Sequence, residues 1–401
     1  MILLYKSNIM TDNKLNNRIL LIAFLAALAE SLPAPFYPKI FKDTFGINDP
    51  EYTGTYLCIL RLTFMLSYPI WAWVSQNTNI FKLLSMTQFI AGVASIYCGL
   101  TKDITAFYVC SILMVLFKSS YLLLYPYLIS KNENKTLIVT RLGILVHLSM
   151  IISAISGAFI IDKISVQYLF IIIGLFDFIQ MGISSRLTDI QNVAQVQITS
   201  EPISLDKTRL LWICIITFMF YLSSTLIRPF YTEFIIERYA PQANYTWAAV
   251  LFIIPSLSAL FLLPLTGKSS IIKNTTFICS LILSISVVLL LQSYVNTLIS
   301  EIVLRSLFGM SIFLIFVYLD TSFFETVSGK NSTRAYSLLH ITQNFAYMSA
   351  PLLAGLLVAR DGYTGPFMMA SICSLLALPL VIMLHIKNSK KYSSILNPKL
   401  S

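Results

Sequence analysis

Charge is scarce in this sequence. Asp, Glu, Lys and Arg together supply 11% of the 401 residues, where a soluble protein carries about 25%. A soluble fold of this size needs far more polar surface, which excludes a soluble enzyme or nucleic-acid-binding module. Long polar stretches are nearly absent too, and only 187–207, reading LTDIQNVAQVQITSEPISLDK, qualifies. That leaves no room for a sizeable soluble domain. Cysteines number six, at positions 58, 98, 110, 214, 279 and 373, all within apolar runs and with no C-x-x-C pair, so neither a disulfide framework nor a metal site is expected. The three histidines show no metal spacing. Gly267-Lys268-Ser269 resembles the end of a phosphate-binding loop, but position 262 is Leu where that loop needs Gly, so ATP hydrolysis is not supported. No catalytic residue, cofactor or nucleic-acid partner is expected.

Apolar length is what the chain has. Hydrophobic residues make up 57% and the mean hydropathy is +0.77. A membrane helix takes about 20 apolar residues. Twelve such segments can be drawn, at roughly 19–41, 52–75, 80–100, 105–129, 137–161, 165–185, 209–236, 243–266, 273–294, 297–324, 335–359 and 364–386. Continuous runs of this length exclude a β-barrel, whose strands alternate over about ten residues. The first run holds Glu30, Pro33, Pro35 and Pro38 without a small-x-small cleavage site, so no cleaved leader is expected, and Met10 is a candidate start. The expected organisation is a cytoplasmic tail over 1–18, a six-helix bundle over 19–186, a central cytoplasmic loop over 187–207, a second six-helix bundle over 208–387 and a cytoplasmic tail over 388–401. With the N-terminus inside, eighteen of the 28 Lys and Arg fall on the cytoplasmic side, six outside and four within spans. This bias puts both termini in the cytoplasm, in a bacterial-type inner membrane.

The halves repeat at an offset near 193. Thr140-Arg141 with His147 matches Thr333-Arg334 with His340; Ser156 matches Ser349. Pro35-Phe36-Tyr37 matches Pro229-Phe230-Tyr231, and Leu116-Phe117 with Tyr127-Leu128 matches Leu307-Phe308 with Tyr318-Leu319. Six plus six spans, a repeat and a cytoplasmic linker resemble the major facilitator superfamily of secondary transporters. Between spans two and three, where that family carries a Gly, an Asp and basic residues, this chain has Gln76 in place of the Asp and keeps Lys82. The resemblance implies an all-α polytopic membrane protein of twelve transmembrane helices in two pseudo-symmetric bundles, with spans 1, 4, 7 and 10 around a cavity, and a transporter rather than an enzyme.

Ionisable groups at membrane depth cost at least about 2.5–3.5 kcal/mol on insertion scales, so they mark functional sites. Glu30, Lys118, Arg228 and Arg305 lie in spans 1, 4, 7 and 10, and Arg61 and Asp177 in spans 2 and 6, while Asp320 lies nearer the cytoplasmic end of span 10. Polar stripes run along one face of span 7 (Tyr221, Ser224, Thr225, Arg228, Tyr231, Thr232), span 4 (Ser111, Lys118, Tyr121, Tyr125) and span 11 (Tyr336, Ser337, His340, Gln343, Asn344, Tyr347). Four cations against two central acids, with Arg61 and Glu30 able to pair, favour an anionic substrate. The expected substrate contacts are Lys118, Arg228, Arg305, Tyr121, Tyr125, Tyr231, His340, Gln343 and Asn344. Glu30 is the expected proton carrier, and Arg61, Asp177 and Asp320 are charge partners. The substrate would be a small organic anion, with polycarboxylate siderophores as one class that fits, carried by a monomer coupled to protons in a lipid bilayer. The rival substrate class is a neutral or cationic compound in drug or metabolite efflux; a polytopic membrane enzyme ranks below both.

Overall fold

The computed structural model describes residues 2–132, 135–188, 207–239, 243–262, 274–326 and 332–396. Of the expected central loop, only Leu187, Thr188 and Lys207 are among them. The described chain is helical throughout, with no strand among the described residues: α1 Ile2–Ser31, α2 Tyr37–Phe45, α3 Pro50–Val74, α4 Ile80–Leu100, α5 Ile104–Lys118, α6 Leu124–Lys131, α7 Lys135–Lys163, α8 Gln167–Ser185, α9 Lys207–Leu226, α10 Tyr231–Arg238, α11 Tyr245–Leu262, α12 Thr275–Gln292, α13 Leu298–Thr326, α14 Ser332–Asp361 and α15 Gly365–Leu396. Helix is the form a single apolar segment must take in lipid, because it alone bonds its own backbone groups internally. Twelve segments are long and apolar enough to cross a bilayer, in the expected order. Large apolar side chains left exposed, such as Phe261, Ile299 and Trp73, suit contact with lipid. Where helices begin outside the apolar runs, side chains take up the free amides: Asn79 accepts from the Phe81 and Lys82 N–H groups, Asp103 from Thr105 and Ala106, and Asn274 from Thr276 and Phe277.

Two breaks repeat the sequence offset in the backbone. α1 stops at Ser31, a 3₁₀ turn covers Ala34–Phe36, and α2 starts at Tyr37. α9 stops at Leu226 and α10 starts at Tyr231, 194 residues after Tyr37. Phe36 (φ −119°, ψ 7°) and Phe230 (φ −117°, ψ 8°), which precede these restarts, have nearly the same conformation. The seventh span therefore does not run unbroken from 209 to 236. Pro229 has no N–H and its ring crowds the carbonyl four residues back, so the helix ends before it and the Arg228 N–H turns to the Thr225 carbonyl at 3.0 Å. Pro33 and Pro35 act likewise in the first span. The fourth span changes to 3₁₀ winding over Ser119–Leu123, between α5 and α6. Ser67 donates to the Ser119 hydroxyl at 2.6 Å, and Thr87 and Ser120 share a hydrogen bond of 2.7 Å.

The described chain forms two compact units. Unit 1 holds Met1–Asn48, Ile59–Gln197 and Asn244–Ala249, and unit 2 holds Asp49–Cys58, Ile198–Ala243 and Val250–Ser401. In unit 1, α4 crosses α8 so closely that a Cβ on Gly174 would stand 2.8 Å from the Gly92 carbonyl oxygen; small residues permit this approach. Ile19, Ile22, Phe81, Leu84, Leu124 and Leu128 form part of its core. Asp162, at the end of α7, accepts from both the N–H and the hydroxyl of Thr246 at 3.0 and 2.7 Å. In unit 2, α9 packs on α14 and α15, and α12 on α13 and α15. Serine pairs tie these helices, Ser223 with Ser374 at 2.8 Å and Ser286 with Ser371 at 2.9 Å.

Candidate functional site

Glu30 is the penultimate residue of α1, where the two prolines end the helix. Arg61 lies near the middle of α3. Arg61 Nη1 stands 2.9 Å from Glu30 Oε1. Tyr121, in the 3₁₀ stretch of the fourth span, donates its hydroxyl to Glu30 Oε2 at 2.9 Å, and the Tyr125 ring lies 6.1 Å from that of Tyr121. Both carboxylate oxygens of Glu30 are thus engaged. The side chains of Arg61 and Glu30 are 40% and 29% exposed. Both residues are near the centres of their spans, Leu15–Phe45 and Pro50–Val74. A charged pair exposed at that depth is costly against hydrocarbon. The cluster is a salt bridge with two tyrosines, partly exposed near the centres of its two spans.

Lys118 has a different partner. Its Nζ is 3.0 Å from Asp177 Oδ2, and the two side chains are 6% and 0% exposed. Ser95 donates to the same carboxylate oxygen at 3.1 Å, and Gln180 to the other at 3.3 Å. Gln88 donates to the Lys118 carbonyl at 3.3 Å, at the point where α5 gives way to 3₁₀ winding. A charge pair enclosed in this way is stable only with its hydrogen bonds complete, and both carboxylate oxygens have partners here. Lys118 is held by α8 rather than beside Glu30.

In unit 2, Tyr231 opens α10 and is fully buried. Its hydroxyl donates to Glu301 Oε1 at 2.8 Å. The Arg305 guanidinium lies 4.0 Å over the Tyr231 ring and 5.6 Å from that of Phe308, and its Nε donates to the Leu251 carbonyl at 3.4 Å. Of the expected contacts, Arg305 and Tyr231 are therefore brought together. Arg228 is half-buried in the turn between α9 and α10. Tyr221 packs on Phe316 and Tyr347 with ring centres 4.5 and 5.4 Å away. His340 is exposed, Gln343 is buried, and Asn344 donates to the His340 carbonyl at 2.9 Å, within its own helix. Asp320 is exposed. The side chains of Tyr336 and Ser337 lie outside the described residues. Glu301 is the buried acid that the sequence reading passes over. Its signal was its place one helical turn before Arg305, the i, i+4 spacing that puts both on one face. No group of three or more His, Cys, Asp or Glu able to hold a metal occurs among the described residues.

Comparison with known proteins gives a consistent fold. The sequence model described as Major Facilitator Superfamily matches residues 213–399. No curated protein matches the chain. Among solved structures, a bacterial homologue of the human lysosomal transporter Spinster, in an inward-facing and occupied conformation, superposes with a TM-score of 0.76 at 11% identity, over 93% of this chain and 97% of that one. The nucleoside transporter NupG gives 0.71 at 14% identity, over 93% and 98%. A structure reported for substrate recognition in proton-dependent oligopeptide transporters gives 0.73 at 10% identity, over 94% and 99%. At these identities the likeness carries the fold and not the substrate.

Proposed function

We propose that this chain, a transporter of the major facilitator superfamily, moves a small organic anion together with a proton, and that Glu30 and Arg61 couple the two. The supporting observation is the partly exposed Glu30–Arg61 pair at mid-span, 2.9 Å apart. Arg61 needs an anionic partner in the membrane, because a lone cation there is costly. In the empty carrier, Glu30 is that partner. A proton on Glu30 cancels its charge and releases the guanidinium, which can then take a substrate carboxylate in two-pronged fashion. Tyr121 and Tyr125 offer hydroxyls beside it. Arg61 then has one anion at every stage, either Glu30 or the substrate. Proton and anion therefore bind together, and a state with only one of them is penalised. That is how a proton gradient would bias the conformational equilibrium of the carrier. Lys118 and Arg305 enter this reading as partners of Asp177 and Tyr231. Arg228, His340, Gln343 and Asn344 belong to unit 2 and stand outside it. By the distribution of Lys and Arg, both termini face the cytoplasm of a bacterial-type inner membrane.

The purified protein in liposomes, offered mono-, di- and tricarboxylates including citrate and, separately, tetraphenylphosphonium, tests this reading. Carboxylate uptake driven by an acid outer pH is expected. Arg61→Lys should weaken it and Arg61→Ala should abolish it, because a point charge lacks the forked geometry. Transport of the lipophilic cation with none of the carboxylates would favour efflux of cationic compounds and overturn the anion reading.

A further inference from the structure

A tyrosine-to-carboxylate hydrogen bond beside an arginine occurs twice among the described residues. In unit 1 the acid is on the first span and the tyrosine on the fourth: Tyr121 donates to Glu30 at 2.9 Å, beside Arg61. In unit 2 the tyrosine follows the seventh span and the acid is on the tenth: Tyr231 donates to Glu301 at 2.8 Å, beside Arg305. The internal repeat makes spans 1 and 7 equivalent, and likewise spans 4 and 10. The same bond therefore recurs with its donor and acceptor exchanged between equivalent helices.

The two copies differ in one respect. Both oxygens of Glu30 are engaged, and an ion pair supports its charge. Glu301 is 0% exposed and its Oε2 has no hydrogen-bond partner among the described residues. Arg305 does not close on it as a contact ion pair. Its guanidinium lies on the aromatic faces of Tyr231 and Phe308 and bonds the Leu251 carbonyl, while its Nη1 is buried without a partner. Aromatic faces and a carbonyl stabilise a cation without requiring a carboxylate. An ionised carboxylate buried with one oxygen unserved is expensive. A proton on Oε2 removes that charge and leaves the Tyr231 bond to Oε1 intact. The charged and titratable groups around Glu301 are Arg305 on its own helix, and Tyr231, Arg238 and Tyr239 on and after α10. Arg238 is committed to the Ser293 and Val295 carbonyls at 2.8 and 3.1 Å, and Tyr239 to Val295 at 3.3 Å.

We propose that Glu301 is a second proton-binding site of this protein, carrying its proton on Oε2 in the buried arrangement and exchanging it with water when unit 2 admits water to the cluster. Its part in transport rests on the proton-linked reading of Glu30, whereas its protonation does not. Infrared difference spectra of the purified protein, recorded across a pH titration without any substrate, follow the carbonyl stretch of protonated carboxyls. The wild type should show a buried protonated carboxyl that Glu301→Gln removes and Glu30→Gln retains. Tyr231→Phe should keep this band but shift its frequency, through loss of the hydrogen bond to Oε1, and it serves as the readout if Glu301→Gln does not fold. Spectra of Glu301→Gln identical to wild type, or an unshifted band in Tyr231→Phe, would overturn the assignment. A band that survives in Glu301→Gln but vanishes in Glu30→Gln assigns the proton to Glu30 alone and also overturns it. If instead the Glu301 band is found and no Glu30 band appears at any pH, the coupling role of Glu30 fails while this site stands.

Discussion

Arg61 and Lys118 are both cations at membrane depth, yet their surroundings give them different roles. Arg61 is 40% exposed beside Glu30, whereas Lys118 is sealed against Asp177 with Ser95 and Gln180 completing the carboxylate. Removing one member of a buried pair leaves the other uncompensated, at a cost of about 3–5 kcal/mol, while replacing both by apolar residues is often tolerated. Lys118→Ala should therefore lower the thermal midpoint of the purified protein sharply, and the double variant Lys118→Met with Asp177→Leu should recover most of the loss. Equal losses in the single and double variants would mean that the pair is not the source. The ionisable residues at depth were legible from the sequence because the bilayer makes them conspicuous. Their pairing was less so. Glu30 with Arg61 could be read from two charges at matching depth, but the tie of Lys118 to Asp177 depends on which way α5 and α8 face each other, and no periodicity in a uniformly apolar helix reveals that. Glu301 escaped because an acid four residues into a span reads as interfacial, whereas the structure buries it fully.

Among the elements, the helix positions followed from apolar length, and the interruptions followed from proline. The matching conformations of Phe36 and Phe230 show that the repeat is one of backbone as well as residues. The 3₁₀ stretch at Ser119–Leu123 has no such signal in the chain: serines in a membrane helix read as polar contacts, and it takes Ser67, Thr87 and Gln88 on neighbouring helices to hold the altered winding. Close helix crossings are equally silent in sequence, since glycines at crossings and on open faces look alike. α8 carries both kinds. A Cβ on Gly174 would meet the Gly92 carbonyl oxygen at 2.8 Å and the Ile96 side chain at 2.6 Å, while Gly182 has nothing within 4 Å. Gly174→Val should destabilise the protein by about 1–3 kcal/mol, as overpacking does, and Gly182→Ala should be near neutral. Thermal unfolding of the two variants in one detergent checks the contrast, and similar midpoints would contradict the crossing.

For the whole molecule, composition decided the class, because so few charges and so much apolar length permit little besides a polytopic membrane protein, and the fold follows from twelve spans in the expected order. Substrate choice lies at a finer scale than fold. Lys118 is paired with Asp177, and Arg305 lies on the Tyr231 and Phe308 rings, so the case for an anion rests on Arg61 once Glu30 is protonated. The measurement that tests this most directly compares two modes in Glu30→Gln liposomes: carboxylate uptake driven by a pH gradient, and exchange of carboxylate across the membrane at equal pH. A permanently neutral residue at position 30 should abolish pH-driven uptake and preserve exchange, since Arg61 no longer faces a carboxylate at position 30 but no proton is carried with the substrate. Uptake that still responds to the pH gradient as in the wild type would contradict Glu30 as the coupling group.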